Sequence, residues 1–451
     1  MYPRSLPKPA AIVLVLAVAE GSLVQDAGSI PAFARKYGTS CQTCHVMPPR
    51  LNAYGEAFRL NGYQLPQGDA DLVRDEPLPM GAPGWRDLFP NAVWPGSISG
   101  MPPIAMRVIA DYETRSHANS NFEFPHEIEL LMGGTFGAGI GFYLESEWQP
   151  GSGALIQQTF VKFQDVLGAL RVPNRLLNVW VGKFDQNLLP SYRNLDRVYK
   201  NHPLWGNRRI ADLRVDSAGT NRTSATQFRP QDKQPGIELN GIVGRRLGYG
   251  LGVVQGIEAT RDVDNHKDLY YTLRTKLGGR ALDGTLGAGP VGTIQPGPSG
   301  SWVDNALQLE HFGYFGRQGN DEFRRFGLAA RLTHGNLDAS AGYVWGSHDQ
   351  PWSNAGTAEF RSWFGRADYM VFPWLMASMR LEDLRITPDL PAGWQVTAGR
   401  QQDLRRVLPA LIMLVRANMR ITLEEEYYTR DASVAEDQRR HAFWARLDFA
   451  F

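Results

Sequence analysis

Cys41-Gln42-Thr43-Cys44-His45 sets two thiols and an imidazole within five residues, and these are the chain's only two cysteines. The order C-x-x-C-H is the pattern of c-type haem attachment. Two thiols at this spacing can each add to one haem vinyl group, and the imidazole that follows then lies beneath the iron as its proximal ligand. Two other chemistries use related patterns. A redox dithiol wants a βαβ surround, which the flanking sequence lacks. Zinc needs two further ligands held close, and no nearby Cys or His offers them. The reading is one covalently attached haem c on Cys41 and Cys44, with His45 on the iron. A haem held this way means electron transfer or gas chemistry. For the opposite face of the iron, Met47 is too close along the chain. Met80 is the candidate, with Met101, Met106, His117, His126 and an open position as alternatives. No residue is singled out for acid–base or nucleophilic catalysis.

The elements that position this motif begin with an exported N-terminus. Arg4 and Lys8 precede the short apolar run Ala10 to Ala19, which ends in Ala17-Val18-Ala19, so residues 1–19 read as a signal peptide cleaved near that point, with a retained membrane anchor as the other reading, disfavoured by the short run. Export suits the haem, which is attached outside the cytoplasm. Residues 31–100 read as a small α-helical haem module followed by a stiff linker. They hold the motif, the helical-looking run 51–60 and the Pro/Gly-rich Leu78-Pro79-Met80-Gly81-Ala82-Pro83-Gly84. From 103 to 451 the hydrophobic period becomes two. In the last segment Phe443, Ala445, Leu447, Phe449 and Phe451 share one face, and Trp444, Arg446, Asp448 and Ala450 the other.

Segments of this kind recur about sixteen times at roughly ten residues each, with short and long links tending to alternate, as in an outer-membrane barrel. The link 278–302 is long where a short turn belongs, so a strand pair hidden there is an open possibility. The fold expected is mainly β: a transmembrane antiparallel barrel preceded by the cytochrome module, in contact with outer-membrane lipid. Phe451 closes an alternating strand as the assembly signal of such barrels does. No run of eighteen apolar residues follows the leader, which leaves strands as the spanning elements. A net charge of +1 with no basic stripe gives no footprint for nucleic acid.

The charged face of these strands carries both signs. Arg107, Asp111, Glu127, Glu129, Glu145, Glu147, Glu310, Arg331, Arg380, Glu382, Arg420, Glu424, Arg446 and Asp448 all fall on it. In a barrel this wide they face a polar lumen, where they pair with one another or pin the haem module inside. Trp363, Trp374, Tyr427 and Trp444 read as interfacial or lumen packing.

Pro31, Phe33-Ala34-Arg35, the motif itself, Pro48, Leu51, Gly55, Phe58 and Gly62-Tyr63 resemble the N-terminal pattern of the fused outer-membrane cytochrome–porins of iron-oxidising bacteria. The resemblance covers 31–63 closely and the rest in architecture. It implies a monohaem segment ahead of a barrel, moving electrons from extracellular Fe(II) to a periplasmic carrier such as a soluble cytochrome. Two other readings remain beside it: a porin or transporter whose haem segment is a plug or redox gate, and a soluble periplasmic cytochrome with a β-domain.

Overall fold

The computed structural model describes residues 32–37, 39–65, 104–116, 119–136, 139–151, 153–168, 175–190, 198–217, 219–224, 226–258, 265–285, 304–352, 355–432 and 441–451. The leader, Met80, Met101 and His117 lie outside them.

Sixteen strands close into one barrel. In chain order they are β1 Ile104–Arg115, β2 Asn121–Thr135, β3 Ile140–Gln149, β4 Gly153–Phe163, β5 Asn178–Asp185, β6 Lys233–Val243, β7 Leu247–Val254 and β8 Asp268–Gly278, then β9 Ala306–Gln318, β10 Asp321–His334, β11 Leu337–His348, β12 Thr357–Phe372, β13 Leu375–Asp389, β14 Gln402–Arg416, β15 Met419–Asp431 and β16 His441–Ala450. Each pairs antiparallel with its neighbour, and β16 returns to β1 with Arg446 opposite Asp111. Inside that seam the Arg446 Nε donates to Asp111 Oδ1 at 2.8 Å. β8 and β9 are direct neighbours, so the barrel wall has no further strand between them, and residues 286–303 lie outside the described ones.

The alternation explains the closure. On β16, Ala442, Trp444, Arg446 and Asp448 are buried inward, while Phe443, Ala445, Leu447 and Phe449 turn out. Around the wall Leu251, Leu269, Leu328 and Leu381 point outward and are exposed. Exposed aromatic rings gather toward the two ends, with Tyr112, Trp148 and Tyr427 at one and Phe163, Tyr369, Phe372 and Trp374 at the other. A closed sheet has no unpaired edge, and an apolar outer band between aromatic girdles is a surface for lipid. The barrel is an outer-membrane barrel.

The links are asymmetric. Tight turns at 244–246, 335–336, 373–374 and 417–418 lie at one end, together with the start of β1 and the end of β16. Short turns face the periplasm in such barrels. The long link 186–232 belongs to the opposite end and does not stay outside. Its described residues around Tyr199 and Trp205 lie in the lumen, where Tyr199 Oη donates to Asp368 at 2.6 Å and Trp205 is buried against Phe312 and Phe364. Two of its short strands, Arg214–Ser217 and Thr220–Thr223, join Trp394–Val396 in a separate three-stranded sheet.

Candidate functional site

The motif sits in a compact segment built from two helices, α1 Ala32–Tyr37 and α2 Ala53–Leu60. Between them Cys41–Thr43 form one 3-10 turn, and His45–Met47 pairs with Arg50–Leu51 as a small hairpin. α2 is capped by Asn52, whose Oδ1 accepts from Gly55 N at 2.9 Å, and it buries Tyr54, Ala57, Phe58 and Leu60. Phe33, Phe58 and Tyr63 then pack ring on ring, with centroids 5.1 to 6.0 Å apart.

This segment lies inside the barrel, at the short-turn end. On one side Tyr63 stacks on Tyr143 of β3, and Lys162 of β4 donates to Arg59 O at 2.8 Å with its ammonium 4.4 Å from the Tyr63 ring. That is a cation–π contact in a closed space, where such contacts are strongest. Gly141 of β3 is in place because a Cβ there would stand 1.9 Å from Gly62 O. On the far side Arg331 of β10 reaches Glu56 at 3.1 Å, and Arg50 donates to Asp368 of β12 at 2.9 Å and also bonds Asp338 of β11. Arg420 of β15 donates to Pro48 O. The segment therefore touches walls on opposite sides and plugs the lumen. Arg331 and Arg420 are two of the charged-face residues expected to pin it. Most of the others pair among themselves, as Arg107 does with Glu129 and Asp448, and Arg380 with Glu424.

At the motif, burial holds the His45 imidazole down at about 4, so it stays neutral as a metal ligand must. Its Nδ1 is buried with no hydrogen-bond partner. Both cysteines are free thiols. Burial raises the Cys41 thiol, and burial together with Cys41 pushes Cys44 up to about 12, so neither is a ready thiolate nucleophile. Two unpaired thiols at the attachment spacing, a neutral imidazole and an unclaimed ring nitrogen form a donor set that fits haem c.

The remaining candidates are placed elsewhere or not described. His126 on β2 is engaged with Glu123 at 2.5 Å, and Met106 on β1 exchanges backbone bonds with Phe451. Met80 lies outside the described residues. Met47 is fully buried, against Val198, Tyr199, Met370 and Met376. Trp363, Trp374 and Tyr427 face outward, and Trp444 packs inside. Sequence reading missed Arg50, Asn52 and Tyr199. Asn52 stands directly before the helical run as a residue type suited to an N-cap, a signal that could have been used.

No family model matches the sequence, and no curated protein sequence matches it. Solved porin structures do resemble the chain. An anion-selective porin from Comamonas acidovorans is 12% identical, covering 77% of this chain and 98% of its own, at a TM-score of 0.51. OmpF from Salmonella typhi is 9% identical over 77% and 97%, at 0.48. A loop-deleted OmpT from Vibrio cholerae is 10% identical over 78% and 100%, at 0.46. At 12% identity the likeness to the Comamonas porin speaks for the porin barrel as a fold.

Proposed function

We propose that this chain is an outer-membrane electron-transfer protein: a porin-like barrel whose periplasmic mouth is plugged by a segment carrying one haem c. The observation that carries the reading is the C-x-x-C-H turn held inside the lumen by buried contacts on opposite walls. Bound there, the haem supplies reversible one-electron chemistry. The chain's own residues do the rest. Cys41 and Cys44 offer the thiols, and His45 offers a neutral ring nitrogen. Tyr63, Lys162 and Arg50 fix the segment in the lumen.

Fe(II) outside the cell is the electron donor in this proposal, and a soluble periplasmic carrier meets the short-turn mouth. Oxidised iron precipitates near neutral pH, so the metal itself is not carried on into the periplasm. One haem spans little of a bilayer about 30 Å thick, so a substrate or partner must come to meet it.

The test uses the purified full-length protein. A c-type optical spectrum, reduced on adding Fe(II) and abolished in His45→Ala, is the expected result. A haem that Fe(II) leaves oxidised at every pH where the barrel stays folded sinks iron as donor. A chain without covalent haem sinks the electron-transfer reading and leaves a plugged porin or transporter, which the barrel's likeness to porins favours as the second reading.

A further inference from the structure

We propose that Asn52 is a positioning residue for the haem, holding the backbone of the attachment turn in the conformation that receives it. This rests on the haem reading above and adds a role that the motif does not contain. Asn52 is buried, and each of its polar groups is committed to the turn or to the helix behind it. Its Nδ2 donates to Gln42 O and to Thr43 O, both at 3.1 Å. Its backbone N–H donates to Cys44 O at 2.9 Å. Its Oδ1 accepts from Gly55 N at 2.9 Å, and its own carbonyl accepts from Glu56 N at 2.9 Å. Three consecutive carbonyls of the motif are thereby tied to one residue, and that residue is tied to the first turn of α2.

The side chain is matched to the task. A primary amide has two N–H donors and one carbonyl acceptor, and all are used here. A carboxylate keeps the acceptor for Gly55 but has no proton for the two motif carbonyls. A hydroxyl has one proton for two partners. Gly55 completes the seat, because a Cβ at that position would stand 2.1 Å from Cys44 O. Helix and turn can touch only where the side chain is missing. Covalent attachment needs both thiols and the imidazole presented in one geometry, and groups that orient a metal ligand commonly change affinity by roughly tenfold or more.

Asn52→Asp separates the two functions of the residue. It retains the helix cap and sets an anion against two carbonyls. The full-length chain and its variants are exported in a host that attaches c-type haem, then purified in detergent. Covalent haem per polypeptide, the midpoint potential of whatever haem is attached, and heat-modifiable gel migration are measured for each. In Asn52→Asp the barrel is expected to migrate as the unaltered chain does. Haem occupancy is expected to fall roughly tenfold, and the remaining haem to show a displaced potential, which a residue serving helix stability alone would not move. Gly55→Ala is expected to show the same phenotype by pushing Cys44 O from the other side, and it covers the case in which Asn52→Asp does not assemble. Unchanged occupancy and potential in an assembled Asn52→Asp or Gly55→Ala barrel overturn the proposal and leave the haem reading standing. An unaltered chain without haem removes the haem reading itself, and this role with it.

Discussion

Arg50 is the residue on which the seating of the plug turns. Its guanidinium is buried between Asp338 and Asp368; burial alone would push its pKa down, but the two carboxylates outweigh that and hold the proton on. Replacing it by Ala strands part of two buried charges. Breaking such a pair costs about 3 to 5 kcal/mol. The low end applies here, since Arg331 stays on Asp338 and Arg366 stays on Asp368. Arg50→Ala is therefore expected to loosen the plug while the barrel remains assembled. Limited proteolysis checks it: cleavage inside 32–65 should accelerate, with barrel fragments unchanged. Equal cleavage in both proteins would show that the aromatic contacts to β3 and β4 hold the segment without Arg50. The C-x-x-C-H pattern was legible in the sequence because its five residues are consecutive. Arg50 was not, because its partners stand 288 and 318 residues away and only the closed barrel brings them in. Asn52 lay between these cases, close in sequence but with a role visible only once its amide meets the turn.

At the scale of elements the strands are the readable part, because every one of them has lipid on one side and a polar interior on the other. That contrast prints a period of two which no soluble neighbour blurs. Leu328 tests it. It lies midway along β10, exposed, with Gly327 and Ala329 beside it in the chain. Leu328→Arg is expected to destabilise the folded barrel by about 2 to 4 kcal/mol, the cost of a cation near the midplane, while Leu328→Ala costs far less. Urea titration read by heat-modifiable migration measures both, and equal midpoints would argue that this face does not meet lipid. The link 186–232 was readable in length and not in path. Its apolar residues Leu188, Leu189 and Trp205 resemble those of any loop, and only the lumen wall tells where they are buried. Its inward course depends on polar anchors as well. Tyr199→Phe deletes a hydrogen bond to a buried carboxylate, worth about 1.5 to 3 kcal/mol. Hydrogen exchange is expected to rise through 198–207 and to stay constant in the strands.

Across the whole molecule the two inserts enter from opposite ends and meet. Val46 and Met47 of the plug pack with Val198 and Tyr199 of the link, and Arg50 and Tyr199 both bond Asp368. A sixteen-stranded barrel otherwise encloses a water-filled lumen. With both inserts in place, the lumen is obstructed by the plug and by the link, which is consistent with the proposed electron-transfer role. Liposomes carrying the unaltered chain are expected to swell no faster in a small sugar than empty ones. Arg50→Ala and Tyr199→Ala should each leave the obstruction partly in place, because one insert remains anchored on Asp368. The double variant should open it, with an effect larger than the sum of the two, as expected for residues that share one partner. Rapid swelling with the unaltered chain would mean that solutes bypass both inserts, and the molecule would then be working as a porin. Slow swelling in the double variant would show that the aromatic packing around Tyr63 and Trp205 closes the lumen alone. Swelling of the double variant, fast or slow, thus separates a gate held by the polar anchors on Asp368 from one held by packing.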